Sequence, residues 1–184
     1  PTRSGATRYM SFKQIQEADA GLPFSPDFKD TRVPSLKQTL RLLRSLGCRL
    51  NLELKTDGED VPTLVQQTLA CCAAEGFGKA DLLVSSFDHD ALALVRQAEA
   101  DLPIGLLYWQ NAPDWQQKAK ALKASTLHMD YKSFAPDLIT QAKAAGLGTF
   151  AYTVNELADA QALLDAGLNG LISDDPELLM SALC

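Results

Sequence analysis

The chain has 184 residues, 46% of them hydrophobic and 22% charged, with a formal net charge of −6. That length and balance describe one water-soluble globular domain, and no apolar run approaches the roughly 18 residues that span a membrane. A diffuse negative field argues against nucleic acid and anionic bilayers as partners, while leaving room for a small phosphorylated substrate held by a local cation.

In chain order, "SGATRYMSFKQIQEADAG" has a helix-like pattern, and "LPFSPDFKDTRVP" is a loop punctuated by proline. Residues 1–34 are therefore a lead-in to a predicted helix at Ser35–Leu46. Six apolar strand candidates follow: Arg49–Lys55, Asp81–Phe87, Leu102–Trp109, Ser125–Tyr131, Gly148–Val154 and Leu168–Ser173. Each gap between them reads helical, clearest at Val61–Glu75, His89–Ala98, Pro136–Ala145 and Glu156–Ala166. Pro136 suits a first helical turn, Asn155 suits an N-cap, and Gly146 and Gly167 suit left-handed helix ends.

Strand–helix alternation of this regularity predicts an α/β fold with a parallel sheet and helices outside. Such units make either an open doubly wound sheet or part of a closed barrel. The short, even repeat favours the barrel, as does the lack of GxGxxG or GxxxxGK[ST] after any strand. A parallel (β/α)8 TIM barrel needs eight strands, so the pattern is an incomplete barrel of six strand–helix units. One and a half to two units are expected upstream, at roughly 30 residues per unit.

Barrel chemistry sits at the C-terminal ends of the strands. The first strand, "RLNLELK", alternates strictly: Leu50, Leu52 and Leu54 on one face, Asn51, Glu53 and Lys55 on the other. In a lumen, an unpaired charge is costly, so Glu53 and Lys55 are functional candidates. A carboxylate can hold a hard divalent cation, and a lysine suits a phosphoryl oxygen. The plainer alternative is an ion pair at a solvated edge. The later strands end in Ser85, Ser86 and Phe87; in Tyr108 and Trp109; in His128, Asp130, Tyr131 and Lys132; in Tyr152, Thr153 and Asn155; and in Ser173, Asp174 and Asp175. Tyr108 and Trp109 could wall a pocket. His89 reads as a solvated first-turn residue, His128 as either substrate-facing or packed in the upper barrel, and Asp57 and Asp60 as solvated loop carboxylates. Cys48, Cys71, Cys72 and Cys184 have neither CxxC nor zinc-ligand spacing, with Cys71 and Cys72 small, partly buried thiols, and this predicts a reducing, cytoplasmic setting.

"NLELK", "LLVSSFDHDAL", "TLHMDYK", "FAYTVNELADA" and "GLNGLISDDP", in that order, resemble the glycerophosphodiester phosphodiesterase family of the bacterial, soluble type. "FSPDFKDTRVPSLKQTL" resembles that family's lead-in to its third strand. The resemblance implies a TIM barrel that uses a divalent metal, Mg²⁺ or Ca²⁺, to hydrolyse small-molecule glycerophosphodiesters to an alcohol and glycerol 3-phosphate, in glycerol and lipid metabolism. It implies Glu53 as a metal ligand, Lys55 as a phosphate-binding lysine, and Ser86, Phe87, Tyr152 and Asn155 as substrate-binding residues, with Asp174 structural. The family's His-Arg-Gly motif, Glu-x-Asp metal pair and His-Asp motif have no counterpart in the chain and are expected upstream; His89 and His128 do not match them. Two rivals remain: a catalytically inactive barrel remnant or binding module, and a metal-independent phosphate-using barrel such as an aldolase or isomerase. Oligomeric state is not legible.

Overall fold

The structure is a computed structural model, and it describes residues 7–56 and 60–183. Asp57 and Cys184 lie outside the described residues. Two compact units emerge, residues 1–48 and 49–184, the first holding the lead-in of residues 1–34 together with the helix at Leu36–Ser45.

The first unit carries helices α1 (Phe12–Gln16) and α2 (Leu36–Ser45). Both open on a capping box, Ser11 with Gln14 and Ser35 with Gln38, which satisfies two otherwise orphaned backbone N–H groups in each. Between them Asp19 organises the loop. Its carboxylate accepts from the N–H of Gly21 at 3.0 Å, Leu22 at 2.9 Å and Asp30 at 2.6 Å. These bonds, led by that from Leu22, hold the Asp19 carboxyl below its ordinary pKa.

In the second unit, β1 (Leu50–Glu53), α3 (Val61–Ala74), β2 (Leu82–Ser86), α4 (His89–Ala98) and β3 (Ile104–Tyr108) lead into α5 (Trp115–Leu122). Then come β4 (Thr126–Asp130), α6 (Pro136–Ala144), β5 (Gly148–Tyr152), α7 (Leu157–Asp165), β6 (Gly170–Leu171) and α8 (Pro176–Leu183). The six strands form one sheet in the order β1-β2-β3-β4-β5-β6, every pairing parallel. This is the strand order of six consecutive units of a (β/α)8 barrel, as the alternation predicts. No helix among the described residues is long and apolar enough to cross a membrane.

Most expected strand bounds shrink by one or two residues. The last, expected over Leu168–Ser173, is a two-residue strand, though its ladder continues through Asn169 N to Thr149 O (3.0 Å), Ile172 N to Ala151 O (2.8 Å) and Val154 N to Ile172 O (2.9 Å). Helix α7 departs from expectation at its start. Glu156, not Asn155, is its N-cap, without a side-chain bond. Gly146 and Gly167 do close α6 and α7 with φ of +81° and +93°, where a Cβ would be strained. Cys72 is buried, its thiol pushed up to about 11 by desolvation first and by Cys71 next.

The parallel register gives the sheet two distinct faces. Val84, Ile104, Leu106, Leu127, Met129 and Ala151 share one, all at most 1% exposed, and fully burying each larger side chain contributes about 1.5–3 kcal/mol. The other face carries Glu53, Ser85, Gly105, Thr126, His128 and Phe150 in successive register. His128 is fully buried there, its Nε2 2.8 Å from Thr126 Oγ1, its ring 5.0 Å from Phe150 and its Nδ1 without a hydrogen-bond partner. It packs against Thr126 and Phe150 on this face.

Gly105 leaves room for this arrangement: a Cβ there would lie 2.6 Å from Thr126 Oγ1 and 2.8 Å from His128 Nε2. Gly105→Ala should therefore cost about 1–3 kcal/mol in urea unfolding, by overpacking. Gly78→Ala, with nothing within 4 Å of the added carbon, is the control; equal effects at the two positions would refute the packing argument. Burial also pushes the His128 imidazole down to about 4. The unfolded chain thus binds the proton that the folded chain refuses, and stability falls as pH drops from about 6.5 toward 4. His128→Leu should flatten the stability loss between pH 7 and 5 by about 2 kcal/mol, read from urea midpoints. An unchanged pH slope would mean the ring is solvated.

Candidate active site

The C-terminal end of β1 presents the polar face of "RLNLELK" as the alternation requires. Leu54 is 4% exposed and its N–H donates to Ser85 O at 2.8 Å, fixing the strand against β2. Glu53 and Lys55 therefore emerge on the opposite side. Lys55 Nζ lies 3.4 Å from Glu53 Oε1, with side-chain exposures of 79% and 31%. An ion pair this wet contributes little to stability, and it leaves the ammonium free to turn to another anion.

Glu53, Lys55, Thr56, Phe87 and Asp88 surround a cleft of about 210 Å³, with Ser86 at its wall. Larger hollows of about 460 and 430 Å³ lie along α3 and α4, lined by Leu69, Ala73 and Glu99 among others. The larger reaches Leu82 and Leu102, at the N-terminal approach to β2 and β3, away from the strand C-termini. The smaller cleft is the chemical one.

Ser86 is fully buried on the opposite face from Glu53. Its hydroxyl donates to Leu54 O at 2.7 Å and accepts from Asp88 N at 3.0 Å. Both bonds are internal, so Ser86 braces the cleft that it lines, with its hydroxyl engaged by protein partners. The serine on the Glu53 face is Ser85, fully buried with no hydrogen-bond partner for its hydroxyl.

Asp88 was not singled out by sequence reasoning. One oxygen caps α4 by accepting from Asp90 N (3.0 Å) and Ala91 N (3.1 Å), and the other accepts from Thr56 Oγ1 at 2.8 Å. The Thr56 bond first, and the cap bonds after it, hold the Asp88 carboxyl below its ordinary range. The run "SFDHDAL" carried the signal, an Asp directly before a helical pattern.

Phe87 is 44% exposed and meets Tyr152 edge-on, ring centroids 5.9 Å apart. Tyr152 donates its hydroxyl to Tyr108 O at 2.7 Å, so its ring, not its phenol, is what it can offer a ligand. Burial first, then the charges of Asp130 and Glu53, hold that phenol well above its usual range. Both carboxylates thus act on the Tyr152 end of the mouth. Asn155 is spent elsewhere: its Oδ1 accepts from Ser173 Oγ (3.0 Å) and Asp174 N (2.9 Å), and its Nδ2 donates to Asp174 Oδ2 (3.1 Å). It ties the end of β5 to the end of β6 and does not line the Glu53 cleft.

Neither histidine is poised at the cleft. His89 is not a solvated first-turn residue: its Nε2 lies 3.2 Å from Leu107 O and its ring packs 4.8 Å from Tyr108. Desolvation lowers its pKa, against the opposing pull of the Leu107 carbonyl. Asp60 remains exposed and caps α3 through Thr63 N at 3.2 Å.

A divalent metal fits this donor set only in part. A Ca²⁺ or Mg²⁺ site takes about six or more oxygens. Among the described residues no three His, Cys, Asp or Glu side chains converge as a metal site. Glu53 can contribute one ligand, and the described residues do not by themselves complete the site.

Residues 2–178 match the family model of the glycerophosphoryl diester phosphodiesterase family. A glycerophosphodiester phosphodiesterase of Caldanaerobacter subterraneus subsp. tengcongensis is 28% identical over 177 residues, covering 96% of this chain and 72% of that protein. An Oleispira antarctica phosphodiesterase, solved in complex with the product sn-glycerol-3-phosphate, superposes with a TM-score of 0.91 at 24% identity, over 97% of this chain and 72% of that one. The glycerophosphodiester phosphodiesterase of Agrobacterium tumefaciens gives 0.76 at 20% identity, over 96% and 74%. These likenesses place the sheet in the same barrel fold. By the match over nearly its whole length, the chain belongs to the glycerophosphoryl diester phosphodiesterase family, a family of phosphoric diester hydrolases.

Proposed function

We propose that the protein carrying this chain hydrolyses glycerophosphodiesters to an alcohol and glycerol 3-phosphate. The observation that carries the reading is the Glu53–Lys55 pair at a strand mouth, in a chain matched by that family over residues 2–178. The relative solved with sn-glycerol-3-phosphate supports the substrate class.

In the reaction, water oxygen bonds to phosphorus, the phosphorus–oxygen bond to the alcohol breaks, and a proton passes to the leaving oxygen. Lys55 is the residue placed to hold a phosphoryl oxygen, and its charge offsets the negative charge that builds in the transition state. Glu53 steers Lys55 in the resting state and releases it when a phosphate competes. The reading includes a divalent cation, Mg²⁺ or Ca²⁺, to which Glu53 would give one oxygen. Its chemistry is to neutralise phosphoryl charge. Buried His128 and packed His89 leave the proton transfers to other groups. Phe87 and the Tyr152 ring form the substrate-facing wall. Asn155 and Ser86 act through the frame, holding that wall in position. The reading places the enzyme in glycerol and lipid metabolism, and the free Cys48, Cys71 and Cys72 suit the cytoplasm.

The test is release of glycerol 3-phosphate from glycerophosphoethanolamine, with Mg²⁺ or Ca²⁺ present and after EDTA. Lys55→Met should lower kcat/KM at least about 100-fold, and Glu53→Gln should remove the cation-dependent activity. Both variants should keep the wild-type urea midpoint within about 0.5 kcal/mol, as expected for a wet pair. Near-normal turnover in either variant would overturn its assigned role. No release by the wild-type protein would favour the binding-module reading.

A further inference from the structure

The mouth holds more aromatic surface than phosphate chemistry requires. Trp109, at the end of β3, is 61% exposed, and Phe87, at the end of β2, is 44% exposed. Both approach Tyr152, with ring centroids at 6.4 Å and 5.9 Å. Three rings from three strands thus gather beside the Glu53–Lys55 cleft, which Phe87 itself lines. Left in water, exposed rings of this size gain nothing for folding, while their electron-rich faces attract a poorly hydrated cation. The charge nearby has the matching sign. Asp130 stands opposite Tyr152 in the β4–β5 register, and its charge and that of Glu53 both act on Tyr152.

We propose that Phe87, Trp109 and Tyr152, with Asp130 beside them, form a specificity pocket for a cationic alcohol head group, an alkylammonium alcohol, on the far side of the phosphate from its glycerol. This rests on the hydrolase reading for its substrate and adds which diesters are preferred. Aromatic faces near a carboxylate favour a diffuse, alkylated ammonium over a neutral polyol of the same size. Phe87 touches both the phosphate cleft and Tyr152, so a phosphate at Lys55 and an ammonium at the rings can be held by one bound molecule.

The first test needs no turnover. Trp109 is the exposed one of two tryptophans, Trp115 being 5% exposed, so intrinsic fluorescence reports the pocket. Choline chloride should perturb that fluorescence saturably, with an affinity roughly tenfold above that of its uncharged isostere 3,3-dimethylbutanol. Phe87→Leu keeps the apolar bulk and removes the ring, and it should abolish most of that preference. Equal affinities for the two probes, or a preference unchanged by Phe87→Leu, would overturn the pocket. The second test is kinetic. Trp109→Ala should raise the ratio of KM values, glycerophosphocholine over glycerophosphoglycerol, about tenfold with the kcat ratio unchanged; an unchanged KM ratio would overturn the proposal. Failure of the hydrolase reading looks different: choline still binds preferentially, but neither diester releases glycerol 3-phosphate.

Discussion

The parallel register of six strands is the constraint on which the rest of the molecule depends. Leu50 N to Asp81 O and Leu54 N to Ser85 O, each 2.8 Å, lock the first strand to the second. Register then propagates across the sheet, and the period of two decides which residues share a face. A slip of one residue at β1 would exchange Glu53 for Leu54 at the mouth. A slip in the opposite direction would instead put Leu52 where Glu53 now sits opposite Ser85.

That constraint explains a division of labour among side chains that look alike in sequence. Ser85 and Ser86 are neighbours, yet only Ser85 shares the Glu53 face, while Ser86 binds Leu54 O and Asp88 N behind it. Asn155 closes the seam between β5 and β6, and Asp88 fastens Thr56 to the start of α4. The mouth is therefore rigid in its frame and loose at its tips. Lys55, the group assigned to phosphate, has 79% of its side chain exposed. That suits a cation which must exchange a carboxylate for an incoming phosphate, and it is why the pair gives little to stability.

Much of this was legible in the sequence, for physical reasons. Alternation in "RLNLELK" fixes two faces locally, so the placement of Glu53 and Lys55 followed from one strand alone. Helix ends at Gly146 and Gly167 are equally local, since each depends on a single backbone conformation. What could not be read depended on partners distant in sequence. Asn155 has the composition of an N-cap, but Ser173 and Asp174 compete for its amide from 18 and 19 residues away. His89 looks solvated until Tyr108 and the Leu107 carbonyl are brought against it. Trp109 and Phe87 belong to different strands, and only the folded sheet sets them on either approach to Tyr152.

The central claim is that the end of β1 is a phosphate-holding mouth, with Lys55 as its cation. The most direct measurement is the affinity of sn-glycerol 3-phosphate for the wild-type protein and for Lys55→Met, by calorimetry at low salt. The account requires saturable binding to the wild-type protein, weakened at least about tenfold by the substitution, as expected for a lost charge-assisted contact. Equal affinity for the two proteins would contradict it and return Lys55 to the role of a solvated partner for Glu53.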